Sequence, residues 1–62
     1  MDPKAALDNA RAALADHDYE SAADAVCDYR AWRSNGGFEP AGGDKLAAQY
    51  AHACMLHGFP CD

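Results

Sequence analysis

The scarcity of large apolar residues most limits what this 62-residue chain can fold into. Half of the residues count as hydrophobic, but much of that half is alanine, which buries little surface. The large apolar side chains are Leu7, Leu14, Tyr19, Val26, Tyr29, Trp32, Phe38, Leu46, Tyr50, Met55, Leu56 and Phe59. A chain of this size buries only about 60% of the surface that it exposes when unfolded. We therefore expect one domain, residues 1–62, with a single thin core.

Helical periodicity runs through the chain, and no segment shows the polar–apolar alternation of a strand. The pattern predicts three helices, at about 3–16, 19–34 and 44–57. Asp18 and Asp44 are good N-cap residues for the second and third helices. The "NGG" of residues 35–37 and Gly58 are typical of helix ends. The expected fold is all-α, a helical hairpin with a third helix packed against it; one bent helix across the first two segments is the alternative.

The same spacing predicts which side of each helix faces the core. In the first helix the inward residues are Ala6, Leu7, Ala10, Ala13 and Leu14. In the second helix they are Tyr19, Ala22, Val26, Tyr29 and Arg33. In the third helix they are Leu46, Gln49, Tyr50, Ala53 and His57, with Leu56 at the margin.

The balance of charge favours a protein partner. Ten acidic side chains against five basic ones give a formal charge of −5. Such a surface repels phosphate backbones, and no basic patch is evident, so we expect no nucleic-acid binding. The first ten residues contain no apolar run, so we expect neither a signal peptide nor a membrane span. The expected location is the cytoplasm, with a virion as the alternative.

Three carboxylates, Glu20, Asp24 and Asp28, follow one another at a spacing of four residues. On a helix this spacing places them on one side, opposite the inward residues. A row of this kind is typical of a solvated face. The alternative is a docking surface for a basic protein.

The glycine-rich segment between the second and third helices surrounds Phe38. Its glycines fit neither GxGxxG nor GxxxxGK[ST], so we interpret the segment as a joint and not as a phosphate-binding loop. An aromatic residue in such a joint is expected to pack on the core, here against Trp32 or Tyr29. Truncating a buried Phe to Ala costs about 3–5 kcal/mol. The alternative is an exposed anchor for another protein, with Trp32 and Arg33 as neighbouring contacts.

Cysteine and histidine residues offer a second hypothesis. Cys54, His57 and Cys61 form a Cys-x2-His-x3-Cys pattern, and Cys27 is available as a fourth ligand. Zinc takes such ligands, and a metal would reinforce a small core. Against this, no CxxC pair is present, and a helical cysteine often serves as a small core residue. We expect reduced thiols in a cytoplasm, hence neither a Cys27–Cys61 nor a Cys54–Cys61 disulfide.

Catalysis is not expected. A small helical domain has little room for a cleft, an oxyanion hole and a lid that excludes water. His17, His52 and His57 have no catalytic partner visible in the sequence. We therefore predict a protein that is not an enzyme and has no cofactor, zinc being the alternative.

Two segments resemble known families. "DHDYESAADAV", residues 16–26, resembles the turn and second-helix start of a tetratricopeptide repeat, with His17 where the repeat normally has glycine. No second copy follows, so the resemblance does not imply a binding groove. "YRAWRSNGGFEPAGGD", residues 29–44, is similar to short helical proteins of tailed phages and bacterial mobile elements. That resemblance implies a phage accessory protein, either a virion component or an inhibitor of a host protein.

These observations predict a non-enzymatic protein–protein interaction module that binds a partner or itself. The residues expected to contact the partner are Trp32, Arg33, Phe38, Glu20, Asp24 and Asp28. The alternative is a structural zinc module that uses Cys27, Cys54, His57 and Cys61.

Overall fold

The computed structural model describes residues 3–59, which form three helices. They are α1 (Pro3–Ala15), α2 (Tyr19–Ser34) and α3 (Gly43–Leu56). Helices α1 and α2 make the most extensive pairing, and α3 packs against both. The predicted all-α fold is confirmed, and α1 and α2 are separate helices. None of the helices within residues 3–59 is long and apolar enough to cross a membrane.

All three helices end in the same arrangement, with one residue in the left-handed conformation. These residues are His17, Gly36 and Gly58, with φ of 58°, 92° and 86°. In α2 the N–H of Gly37 then donates to the Trp32 carbonyl at 3.1 Å, and equivalent bonds close α1 and α3. The glycine-based helix ends predicted from the sequence are therefore confirmed. At the end of α1 the left-handed residue is His17, although glycine is the residue that adopts this conformation without steric cost.

The two predicted N-caps have different outcomes. Asp18 caps α2, since its carboxylate accepts a hydrogen bond from the Ser21 N–H at 3.3 Å. The prediction for Asp44 is wrong, because α3 begins at Gly43 and its N-cap is Gly42, with φ of 71°. The Asp44 carboxylate is instead bonded to two side chains of α2.

Alanine supplies much of the core. The buried apolar residues are Ala6, Leu7, Ala10, Ala22, Ala23, Val26, Tyr29, Ala47, Ala51 and Cys54. Tyr29, Val26 and Cys54 are the largest fully buried side chains. Since most of these residues are small, the helix backbones can approach one another closely. The inward sides predicted for α1 and α2 agree with this core, with Leu14, Ala13, Tyr19 and Arg33 at its margin.

The inward side predicted for α3 is wrong by about a quarter of a turn. The side that faces the core carries Gly43, Ala47, Ala51 and Cys54, with Tyr50 partly buried. The exposed members of the predicted side are Leu46, Gln49 and His57. The prediction followed the largest apolar residues, whereas close packing against the hairpin places the small residues at the contact.

The expectation that Phe38 packs on the core is also wrong, because its side chain is 87% exposed. The backbone of the joint occupies the space that the ring was expected to fill. Gly37 lies directly against the Trp32 ring, and Gly43 lies between the Tyr29 hydroxyl and Pro40. The joint thus covers both aromatic residues itself and leaves Phe38 outside.

Candidate protein-interaction surface

Helices α2 and α3 are joined by a cluster of three side chains, Tyr29, Arg33 and Asp44, which we call the clamp. The guanidinium of Arg33 donates from Nε and Nη2 to the two Asp44 carboxylate oxygens, each at 2.9 Å. The Tyr29 hydroxyl donates to Asp44 Oδ1 at 2.8 Å. A two-pronged contact between arginine and carboxylate fixes orientation as well as distance. The clamp therefore sets the position of the first turn of α3 relative to α2.

The clamp changes the acidity of its members. Hydrogen bonds from Arg33, and then from Tyr29, lower the pKa of Asp44 to about 2. Burial, followed by the hydrogen bond to Asp44, raises the pKa of Tyr29 to about 12. The hydrogen bond to Asp44 also raises the pKa of Arg33. All three groups thus keep their bonded protonation states across the neutral range.

Arg33 also holds the residue before Phe38. Its Nη1 donates to the Gly37 carbonyl at 2.7 Å. The Gly37 N–H is bonded to the Trp32 carbonyl, so both backbone polar groups of Gly37 are used. A Cβ at Gly37 would overlap the Trp32 ring. Close approach to that ring therefore requires glycine here.

The residues after Phe38 are held from the other side. One Glu39 carboxylate oxygen accepts from the Asp44 N–H at 3.3 Å, and the other lies 3.9 Å from Arg33 Nη2. The Pro40 carbonyl accepts from the Gly43 N–H at 2.7 Å. Phe38 consequently projects into solvent from a short segment whose two flanks are both fixed.

The three carboxylates predicted to share one side of α2 are all exposed. We call Glu20, Asp24 and Asp28 the acidic row. Trp32 continues this row at the same four-residue spacing and is partly exposed. Because Gly37 lies on the Trp32 ring, the row leads directly to the segment that carries Phe38.

A shallow groove of about 370 Å³ lies beside the clamp. Its walls are formed by Tyr29, Arg30, Arg33, Ser34, Asp44 and Ala47. The groove contains a serine hydroxyl and a carboxylate, but a carboxylate with a pKa of about 2 is a weak base at neutral pH. Its chemistry therefore gives little support to acid–base catalysis.

The residues of the zinc alternative are not assembled in the described part of the chain. Cys27 is disulfide-bonded, so the expectation of a reduced thiol is wrong there. Cys54 is a free, buried thiol whose pKa is raised by burial, so it is not bonded to Cys61. Cys61 itself lies outside the described residues. Within residues 3–59 no three His, Cys, Asp or Glu side chains are grouped so that they could hold a metal ion.

The opposite end of the bundle carries an aromatic contact that the sequence analysis missed. The rings of Tyr19 and His57 are stacked, with centroids 3.8 Å apart and planes inclined by 9°. The Tyr19 hydroxyl also lies 3.0 Å from Nδ1 of His17. This contact ties the α1–α2 turn to the end of α3. No local pattern indicates it, because Tyr19 begins α2 whereas His57 follows the end of α3.

Large apolar side chains are exposed near that end as well. They are Leu56 at 70%, Met55 at 53% and Phe59 at 40%. Phe38 is more exposed than any of them, and it lies in the segment that precedes α3, near the opposite end of that helix. The chain thus places much of its large apolar surface outside a core that consists largely of alanine.

No protein-family model, curated protein or solved structure matches this chain.

Proposed function

We propose that this chain is a non-enzymatic interaction module that binds another protein through Phe38. The observation that carries the proposal is the 87% exposure of Phe38 between two fixed flanks. Aromatic residues are enriched at the centres of protein interfaces. A segment that is already fixed also loses less conformational freedom on binding. Exposure and rigidity together are what an anchor residue requires.

The geometry changes the role that we propose for Arg33. Its guanidinium is engaged by Asp44, by the Gly37 carbonyl and by Glu39. We therefore assign Arg33 to holding the Phe38 segment and not to direct contact. Trp32 supplies partly exposed aromatic surface against Gly37, the residue before the anchor.

Net charge favours a different protein over a second copy of this chain. Two copies, each with a formal charge of −5, repel one another. The resemblance of residues 29–44 to short phage proteins suggests a host or virion protein as the partner. The groove beside the clamp has no strong base, which supports a binding role over catalysis.

A capture experiment with matched variants tests the proposal. The wild-type chain, Phe38→Ala and Leu56→Ala are each immobilised and exposed to lysate of the source cell. Both variants remove a large exposed apolar side chain, but at opposite ends of α3. We expect the proteins retained by the wild type to be retained by Leu56→Ala and lost by Phe38→Ala. Capture that survives Phe38→Ala, with the helical circular-dichroism signal unchanged, would contradict the proposal.

A further inference from the structure

The carboxylates of this chain differ in whether they form contacts with other residues of the chain. Within residues 3–59, several carboxylates already serve contacts inside the chain: Asp8 with Arg11, Asp18 at its helix cap, and Glu39 and Asp44 with Arg33. The acidic row is different. Glu20, Asp24 and Asp28 are exposed and form no ion pair or side-chain hydrogen bond with another of the described residues. Unopposed charge is therefore concentrated on the outer side of α2.

The row also has a shape that suits another helix. Residues at a spacing of four form a ridge on a helix surface, and each step along it rises about 6 Å. Small residues border this ridge, including Ala25 on one side and Ala31 on the other. A ridge beside shallow grooves is the surface that a second helix packs against. The two basic residues of α2, Arg30 and Arg33, lie off the row.

The side chains along the ridge change from acidic to aromatic. Three turns carry carboxylates and the next carries Trp32, and Phe38 directly follows Gly37, which lies against the Trp32 ring. A matching surface needs cations over one stretch and apolar side chains over the next. An amphipathic helix with Lys or Arg at every fourth position, followed by large apolar residues, supplies both.

We propose that the outer side of α2, together with Phe38, binds a basic amphipathic helix of another protein. Cations of that helix oppose Glu20, Asp24 and Asp28, and its apolar residues contact Trp32 and Phe38. The inference rests on the proposed function and adds the chemistry and secondary structure of the partner. The acidic row supplies charge complementarity, and the aromatic pair supplies apolar contact area.

Synthetic peptides test this inference directly. The probe is a capped helical peptide with Lys at positions i, i+4 and i+8 and two Leu residues in the following turn, in an Ala and Gln background. Its control is a peptide of the same composition with the Lys spacing scrambled. Trp32 is the sole tryptophan, so its fluorescence reports binding at the site. Calorimetry supplies a second, independent affinity.

Charge variants are compared in the same titrations. The double variant Asp24→Asn/Asp28→Asn removes two charges from the row, and Asp16→Asn removes an exposed charge outside it. At low salt we expect the double variant to bind the patterned peptide about tenfold more weakly than the wild type does, since exposed pairs are individually weak but act together. Asp16→Asn should bind within about twofold of the wild type, and added salt should weaken wild-type binding.

The outcomes separate this inference from the proposed function. Loss of binding in the double variant but not in Asp16→Asn, together with preference for the patterned peptide, supports the inference. Equal binding of the scrambled peptide, an equal loss in Asp16→Asn, or no binding at all overturns it. If the captured partner depends on Phe38 but not on Asp24 and Asp28, the inference fails and the proposed function stands. If capture depends on the acidic row but not on Phe38, the proposed function fails.

Discussion

At one end of the bundle, α2 and α3 are joined by the directional hydrogen bonds of the clamp. At the other end, the α1–α2 turn is held to α3 by the stacked rings of Tyr19 and His57. Bonds of a guanidinium to a carboxylate fix angles and distances, whereas a ring stack tolerates sliding and tilting. The end that carries Phe38 is therefore the end built for fixed geometry. The difference shows that directional hydrogen bonds fix the joint around Phe38, whereas the other end is held by a less directional ring contact.

The largest expected effect lies at the clamp, in Gly43→Ala. An added Cβ would lie 2.6 Å from the Tyr29 hydroxyl and 2.7 Å from Pro40 Cγ. Glycine to alanine in a helix normally gains up to about 1 kcal/mol. Here we expect a loss of about 1–3 kcal/mol in the free energy of unfolding, because the contact is overpacked. Chemical denaturation measures it.

A double-mutant cycle then tests whether the clamp is the cause. In a Tyr29→Phe background the nearest obstacle is gone, so Gly43→Ala should cost less than in the wild type. Equal costs in the two backgrounds would show that the Tyr29 hydroxyl does not set the geometry of this end.

The clamp also makes stability depend on pH. The pKa of Asp44 falls from 3.8 to about 2 on folding, so its stabilisation is complete above the unfolded value and is lost as pH falls toward 2. The pKa of Tyr29 rises from 10.0 to about 12, so its stabilisation is complete below 10 and is lost as pH rises toward 12. We expect Asp44→Asn to flatten the acid limb of a plot of melting temperature against pH. Asp16→Asn serves as the control, and an unchanged acid limb in Asp44→Asn would contradict the assignment.

Substitutions at the opposite end of the bundle, where Tyr19 and His57 are stacked, should lower the free energy of unfolding by less. Replacing Tyr19 with Leu keeps apolar volume but removes the stack, which we expect to cost about 0.5–1.5 kcal/mol of unfolding free energy. His57→Ala should cost a similar amount, and the combined variant should cost less than the sum, since both changes remove one contact. Additive losses would show that the ring contact contributes nothing of its own.

An effect of similar size is expected at His17, which adopts a left-handed conformation with φ of 58°. Glycine meets no steric penalty there. Both variants lack the contact with Tyr19, so the difference between their stabilities measures the backbone strain alone. We expect His17→Gly to be more stable than His17→Ala by about 1 kcal/mol in thermal or chemical denaturation. An alanine variant as stable as the glycine variant would show that backbone strain at this turn is negligible.

Local signals explain what the sequence analysis predicted well. The cap at Asp18 and the glycines at 36 and 58 act within a few residues of themselves, so the helix boundaries agree with the structure to within one residue. The clamp could not be predicted in the same way, because Asp44 lies 11 and 15 residues from its partners. A helix cap was the simplest local role for that carboxylate, and it was wrong.

The errors on α3 and Phe38 share a physical cause. Periodicity gives most weight to large apolar residues, which led to Leu46 as an inward residue and to Phe38 as a core residue. In the structure Ala47 and Ala51 make the contact, since close helix packing requires small side chains. The space beside Trp32 is filled by the backbone of Gly37 and not by a ring. Whether an apolar side chain fits a core depends on that three-dimensional space, which spacing alone does not describe.

The free energy of unfolding of Phe38→Ala tests the central claim most directly, because it asks whether the Phe38 ring supports the fold or lies outside it. With the ring 87% exposed, we predict a value within about 0.5 kcal/mol of the wild type in chemical denaturation. A loss of about 3–5 kcal/mol, the range for a buried phenylalanine, would show that the ring belongs to the core and would contradict the account.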